Sequence, residues 1–157
     1  MQEIVMTREE YLKLEKRLDE LNTIGRNEIA EKIKEARTFG DLSENAEYNE
    51  AMNEQAMMEA EIAQIEQDLA NARIIDTEGI GTEIVQPGAK VKIKNVKTKE
   101  TEEYTILGKT QADPDNNIIS DLSPLGKALI GHKAGETVKV EVPSGDILEF
   151  KIMKISK

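Results

Sequence analysis

The fold turns on Arg37-Thr38-Phe39-Gly40-Asp41-Leu42-Ser43-Glu44-Asn45-Ala46-Glu47-Tyr48, a polar stretch between two long segments whose apolar residues recur at steps of three and four. Upstream, Tyr11, Leu14, Leu18, Leu21, Gly25, Ile29, Ile33 and Ala36 form one stripe, with consecutive steps of four near Gly25 to Ile33 marking an irregularity. Downstream, Tyr48, Ala51, Gln55, Met58, Ile62, Ile65, Leu69 and Ala72 alternate three and four without a break. Off the first stripe every residue is polar or small apart from Leu12, Ile24 and Ala30, and each segment buries its narrow stripe mainly against the other. The pattern predicts an antiparallel two-helix coiled-coil hairpin with the quoted stretch at its bend. Gly40, which tolerates the left-handed conformation that often closes a helix, lets the chain reverse there. Roughly 30 residues per arm at ~1.5 Å each gives a rod about 45 Å long. Its seam thins toward the bend, where Ala36, Ala51 and Gln55 replace larger residues, which suits a slender tip for insertion better than a dimerisation element.

The acids of the bend have two readings. Asp41 can cap the second helix while Glu44, three residues on, reaches back to the cap residue's own amide. Alternatively, the two carboxylates, carried into a neighbouring protein, help to hold a divalent metal ion through oxygen ligands. Spacing leaves both open. Lys32, Lys34 and Arg37 are equally two-sided: cations in the last turns of a helix offset its dipole, and they can also meet a phosphate backbone brought to the tip. Phe39, Leu42 and Tyr48 are expected to hold the shape of the bend.

Composition excludes several classes. The chain has 157 residues, 38% apolar and 33% charged, with a net charge of −10, no Trp, two Phe and three Tyr. Little is available for stacking bases, and the net charge opposes phosphate binding, so free nucleic acid is a poor partner for the chain as a whole. With no cysteine there is no disulfide framework and no thiolate metal site. No signal-like N-terminal run and no membrane-length apolar run is present, so a soluble, cytoplasmic protein with no membrane partner is expected.

Glu3 to Met6 reads as extended, and Thr7 with Glu10 has capping-box spacing, so the first helix is expected to begin at about Arg8. From Glu44 to Asp76 the only basic residue is Arg73, which makes the second helix strongly acidic. After Ile75, Gly79, Gly81 and Pro87 mark a boundary, dividing the chain into a hairpin at 1–76 and a second domain at 80–157. There Val91 and Ile93 alternate with Lys90, Lys92 and Lys94, Tyr104 to Leu107 reads as a second strand, and Ile118-Ile119 follows a turn cluster. Ser123 caps a short helix with Pro124 at its first position, Gly131 ends it, and Val138 to Ile155 form a terminal hairpin about residues 143–146. The class is α+β, the second domain being one antiparallel sheet with a short helix. His132 is a lone histidine with no metal-ligating or nucleophilic partner in its loop.

Two blocks carry a resemblance. GDLSENAEY at 40–48, followed by Asn49-Glu50-Ala51 and Gln55, and SPLGKALIGHKAGETVKVEVPSG at 123–145, together resemble the signatures of the bacterial transcript cleavage factors of the Gre family, in the order and spacing of that family. The similarity covers essentially the whole chain, and the acidic rod is nearer the GreA than the GreB branch. The resemblance implies a C-terminal FKBP-like domain that docks on RNA polymerase, with Ser123, Pro124, Leu125 and Gly126 as docking candidates. It also implies a hairpin that enters the polymerase's secondary channel and presents Asp41 and Glu44 to the active centre. Departures are Asn27 where a proline is common, Gln111 where an acid is usual, and His132 where a lysine often stands. The expected activity is stimulation of the polymerase's own cleavage of backtracked RNA, by a factor that is no enzyme in itself. Asp41 and Glu44 would help to hold a Mg²⁺ shared with polymerase carboxylates, Ser43 would order a water, and Lys32, Lys34 and Arg37 would lie near the RNA 3′ end. No cofactor is expected in the free protein, and a seam satisfied within one chain favours a monomer. The alternative is a channel-inserting regulator that contributes no chemistry. An active prolyl isomerase is disfavoured, because Tyr104 and Phe150 are the only aromatics of the second domain.

Overall fold

The computed structural model describes residues 3–40 and 45–157. Its backbone forms two compact units, Tyr11–Asn71 and, together, Met1–Glu10 with Ala72–Lys157. The helical unit is the hairpin expected from the stripes. Helix α1 (Arg8–Glu20) passes through a π-helical turn (Leu21–Gly25) into α2 (Arg26–Arg37), and α3 (Ala46–Ala70) returns. Leu21, Ile29, Met58, Ile62 and Ile65 are buried between the arms, with Leu14, Leu18, Ile33 and Leu69 packed against them. The π-helical turn answers the run of fours: an extra residue in one turn brings the stripe back onto the seam instead of letting it drift. Gly25 eases the close approach of the arms at this point, because a Cβ there would lie 3.0 Å from Met58 Sδ.

The stripe of the second arm ends sooner than its rhythm implies. Ala72 was expected as its last position, yet α3 stops at Ala70 and Ala72–Ile75 is a strand, β2, paired in parallel with β1 (Ile4–Thr7) from the chain start. Ile74 and Ile75 are β-branched and favour the extended form. By their backbone contacts residues 4–7 group with the second unit. Buried Ile4, Val5 and Met6 pack there, and Gly108 is needed beside them: a Cβ on it would fall 1.6 Å from the Val5 carbonyl oxygen. Thr7 caps α1 by accepting a hydrogen bond from Glu10 N at 3.3 Å. Gln111, one of the departures from the Gre pattern, clamps Thr7 by accepting from its amide and donating to its hydroxyl, both at 3.0 Å.

The second unit also holds a five-stranded sheet in the order β5-β4-β3-β7-β6, built from β3 (Lys90–Asn95), β4 (Thr101–Leu107), β5 (Ile118–Ser120), β6 (Thr137–Glu141) and β7 (Ile147–Ser156). It is mixed, not purely antiparallel as the alternating segments suggested, because β5 pairs with β4 in parallel. The chain between them turns at Asp113–Asn117 and comes back along the same direction, with Asn117 in the left-handed conformation at φ 55°. Helix α4 (Pro124–Leu129) lies on the inner face, and Leu129 packs with Val91, Ile93, Ile106, Val138, Val140 and Ile152 in one core. Among the described residues no helix is long and apolar enough to cross a membrane.

Candidate functional site

The bend joins α2 to α3. Its first side closes as the sequence implies: Thr38 N and Oγ1 both donate to Glu35 O, at 3.0 and 2.6 Å, Phe39 N donates to Ala36 O at 3.2 Å, and Gly40 takes φ +104°. The second side differs. The residue seen to cap α3 is Asn45: its Oδ1 accepts from Tyr48 N at 3.1 Å, and its Nδ2 donates across the bend to Ala36 O at 2.5 Å. One amide side chain thus meets an orphan donor at the start of α3 and a carbonyl at the end of α2 that also accepts from Phe39 N. The signal was present in the sequence, since Asn is as good a cap as Asp; the capping-box spacing of Asp41 and Glu44 concealed it. Asp41, Ser43 and Glu44 themselves lie outside the described residues, as does Leu42.

Around the bend the side chains are mostly solvated. Phe39 is 62% exposed, so it does not pack the bend in the way expected of it, whereas Tyr48 is half-buried. Buried Ala36 and Ala51 face each other across the thin end of the seam. A shallow groove of about 250 Å³ beside them is lined by Lys32, Glu35, Glu47, Glu50 and Glu54. Lys32 lies against Glu54 at 3.0 Å, and that hydrogen bond, with the charge behind it, raises the lysine above its ordinary pKa. Lys34 and Arg37 are exposed and, among the described residues, form no ion pair. Two further bridges cross the arms, Arg17 to Glu61 and Arg26 to Glu59, both at 2.9 Å. The Arg26 guanidinium holds Glu59 below the usual carboxylate range, chiefly by hydrogen bonding.

The docking candidates lie elsewhere, and each has a local role. Ser123 caps α4, accepting from Gly126 N at 3.1 Å and donating to Ser120 O at 2.6 Å. Pro124 opens the helix and is exposed, and Leu125 packs partly against the core. Gly126 is buried, and a Cβ there would come within 2.1 Å of the Ser120 carbonyl oxygen. His132 pairs through Nδ1 with Glu136 at 3.0 Å. Glu136 sits below the ordinary carboxylate range, first through the hydrogen bond it accepts from Lys133 N and then through His132. Next to this loop the backbone at 84–85 is tied down, with Val85 N donating to His132 O at 2.9 Å and Gly131 N to Val85 O at 2.8 Å.

Comparison with known proteins places this geometry. Residues 4–74 match the family model described as transcription elongation factor, N-terminal, and residues 80–157 match the one described as transcription elongation factor, GreA/GreB, C-terminal. The chain is 52% identical over 154 residues to the transcription elongation factor GreA of Caldanaerobacter subterraneus subsp. tengcongensis, covering 98% of each chain. It is 53% identical to the protein of the same name from Thermoanaerobacter pseudethanolicus, again over 98% of each. Among solved structures, the GreA factor homolog 1 (Gfh1) of Thermus thermophilus aligns over 99% of this chain and 100% of its own, with 27% identity and a TM-score of 0.45. With both halves matched by family models and full-length relatives at about half identity, the chain belongs to the GreA/GreB family of transcription elongation factors.

Proposed function

We propose that this elongation factor acts with RNA polymerase by inserting the bend of its hairpin into the secondary channel, where it stimulates the polymerase's intrinsic cleavage of backtracked RNA. The observation that supports this reading is the way the bend is built: Asn45 caps α3 and at the same time braces the end of α2, which closes the hairpin at the stretch that carries Asp41 and Glu44. Two carboxylates are hard oxygen donors of the kind Mg²⁺ takes, and two alone are too few to hold it, which fits a site completed by polymerase carboxylates. When bound, the ion supplies positive charge to the phosphodiester under hydrolysis. Asp41 and Glu44 would hold it on the factor's side. Ser43 would orient a water through its hydroxyl. Lys34 and Arg37 would meet the phosphates near the RNA 3′ end, and Lys32 would join them by exchanging Glu54 for phosphate. The Ser123–Gly126 turn docks the second unit on polymerase, and the factor works as a monomer in the cytoplasm with no nuclease activity of its own.

The test uses purified polymerase on a template-bound transcript with an extruded 3′ end. The double substitution Asp41→Asn with Glu44→Gln is expected to leave folding and polymerase binding unchanged and to lower Mg²⁺-dependent transcript shortening by at least ~100-fold, the scale of losing a group that stabilises transition-state charge. Shortening at the unsubstituted rate would overturn the assignment of these acids. Equal polymerase binding with no shortening by the unsubstituted factor would favour the regulator without chemistry.

A further inference from the structure

The outer face of the sheet carries an arrangement that the hairpin does not explain. Val91 and Ile93 point into the core, so Lys90, Lys92 and Lys94 of β3 share the opposite face. On β7 the register sets Lys151 opposite Lys94 and Lys154 opposite Lys92. The second pairing depends on a β-bulge, because the register shifts between Lys92 and Ile93. Continued without the shift, the pairing of Ile93 with Ile152 would bring Met153 to Lys92. The bulge instead buries both Ile152 and Ile155 and turns Lys154 onto the lysine face.

Like charges set directly opposite one another on a sheet are unfavourable. Here they occur twice in succession, in a chain with 31 acidic against 21 basic residues, where a carboxylate partner was readily to hand. Among the described residues none of the five lysines has an ion-pair partner, although Glu103 stands opposite Lys92 on β4. The remaining neighbours in register are hydroxyls: Thr105 and Ser156 beside Lys90, Thr101 beside Lys94 and Thr137 beside Lys151. A repeated local cost on an exposed face is the mark of a surface made for an opposite charge.

We propose that this face binds the phosphodiester backbone of a nucleic acid. Alternate residues along β3 advance ~6.6 Å and the strands lie ~4.8 Å apart, which gives a two-row grid of ammonium groups fringed by hydroxyls, with Glu103 and Glu149 at its margins. The choice of cation points to phosphate rather than to an acidic protein. All five arginines of the chain fall at or before Arg73, and the face carries lysines alone. Lysine is a flexible point charge that follows a backbone, whereas planar carboxylate recognition favours the bidentate arginine fork. No aromatic side chain stands on the face, so binding there is independent of base sequence. The net charge of −10 makes this contact weak and local, not a property of the whole surface.

The experiment measures fluorescence anisotropy of a labelled mixed-sequence single-stranded RNA and of a labelled duplex DNA with the full-length protein, across a salt series. Four to five neutralised phosphates give an expected slope of log K against log salt of about −4 on duplex DNA and about −3 on RNA. Lys92→Gln with Lys151→Gln removes one member of each opposed pair. It is expected to make the duplex slope shallower by about 2 and to weaken binding at least ~10-fold at low salt, while the urea midpoint of the free protein stays level or rises. Lys13→Gln with Lys16→Gln, both exposed on α1, changes net charge equally and is expected to keep the original slope. Binding confined to one of the two probes identifies whether RNA or DNA is held and supports the site. The proposal is overturned if the unsubstituted protein binds neither probe at low salt, if both double variants lose binding equally, or if polyglutamate binds more tightly than either nucleic acid.

Discussion

At the scale of single residues, several side chains are fixed by one neighbour each, and Tyr104 shows what such a neighbour does. Its ring is half-buried against the sheet core and its hydroxyl donates to Glu102. Burial, and after it the carboxylate, pushes the phenol up from 10.0 to about 12. The fold therefore favours the protonated ring. That contribution is complete below the unfolded value near pH 10 and is lost as pH rises through about 12. In ultraviolet titration one of the three tyrosines is expected to ionise about two pH units late, and Tyr104→Phe should remove that late step. Between pH 10 and 12 the unsubstituted protein should lose stability relative to Tyr104→Phe.

At the scale of elements, the start of α3 is the decisive junction. Asn45→Ala removes both the cap to Tyr48 N and the brace to Ala36 O, and is expected to cost about 1–2 kcal/mol in urea denaturation. Asn45→Asp, which keeps the acceptor and loses the donor, should recover about half. The sequence made most elements legible because burial on one face imposes a period: the stripes gave both arms, the run of fours marked an irregularity just after the π-helical turn, and Ser123-Pro124 marked α4. It hid what depends on partners distant along the chain. Ala72 continues the heptad rhythm, yet pairing of Ala72–Ile75 with Ile4–Thr7 converts it to strand, and nothing local in either segment declares the other. The parallel placement of β5 beside β4 is hidden in the same way, since alternation reports a face and not a direction. At the bend, two acids at capping distance outweighed the adjacent asparagine that does the capping. The lysine face was visible only as alternation along one strand; the opposing lysines of β7 emerge once the register is known.

At the scale of the whole molecule, the two units keep separate cores, one strung along the hairpin and one under the sheet. Ile62 is 3% exposed in the first of these. Ile62→Ala should cost about 2–4 kcal/mol by leaving a cavity in the seam. Hydrogen exchange should speed up for amides at 11–71, while those of β3 and β7 keep their protection. Uniform acceleration across both units would show that they unfold as one.

The parallel pairing of β1 with β2 has a consequence of its own. The helical excursion leaves from one strand and re-enters at the other, with departure and return about 10 Å apart along a shared ribbon. An inserted arm whose roots are pinned side by side behaves as an interchangeable cartridge: trimming one heptad from each limb would shorten it by ~10 Å and leave both roots where they are. Length thus becomes a quantity that mutation can adjust in steps, independently of the base that carries it, and the family can be regauged without being refolded.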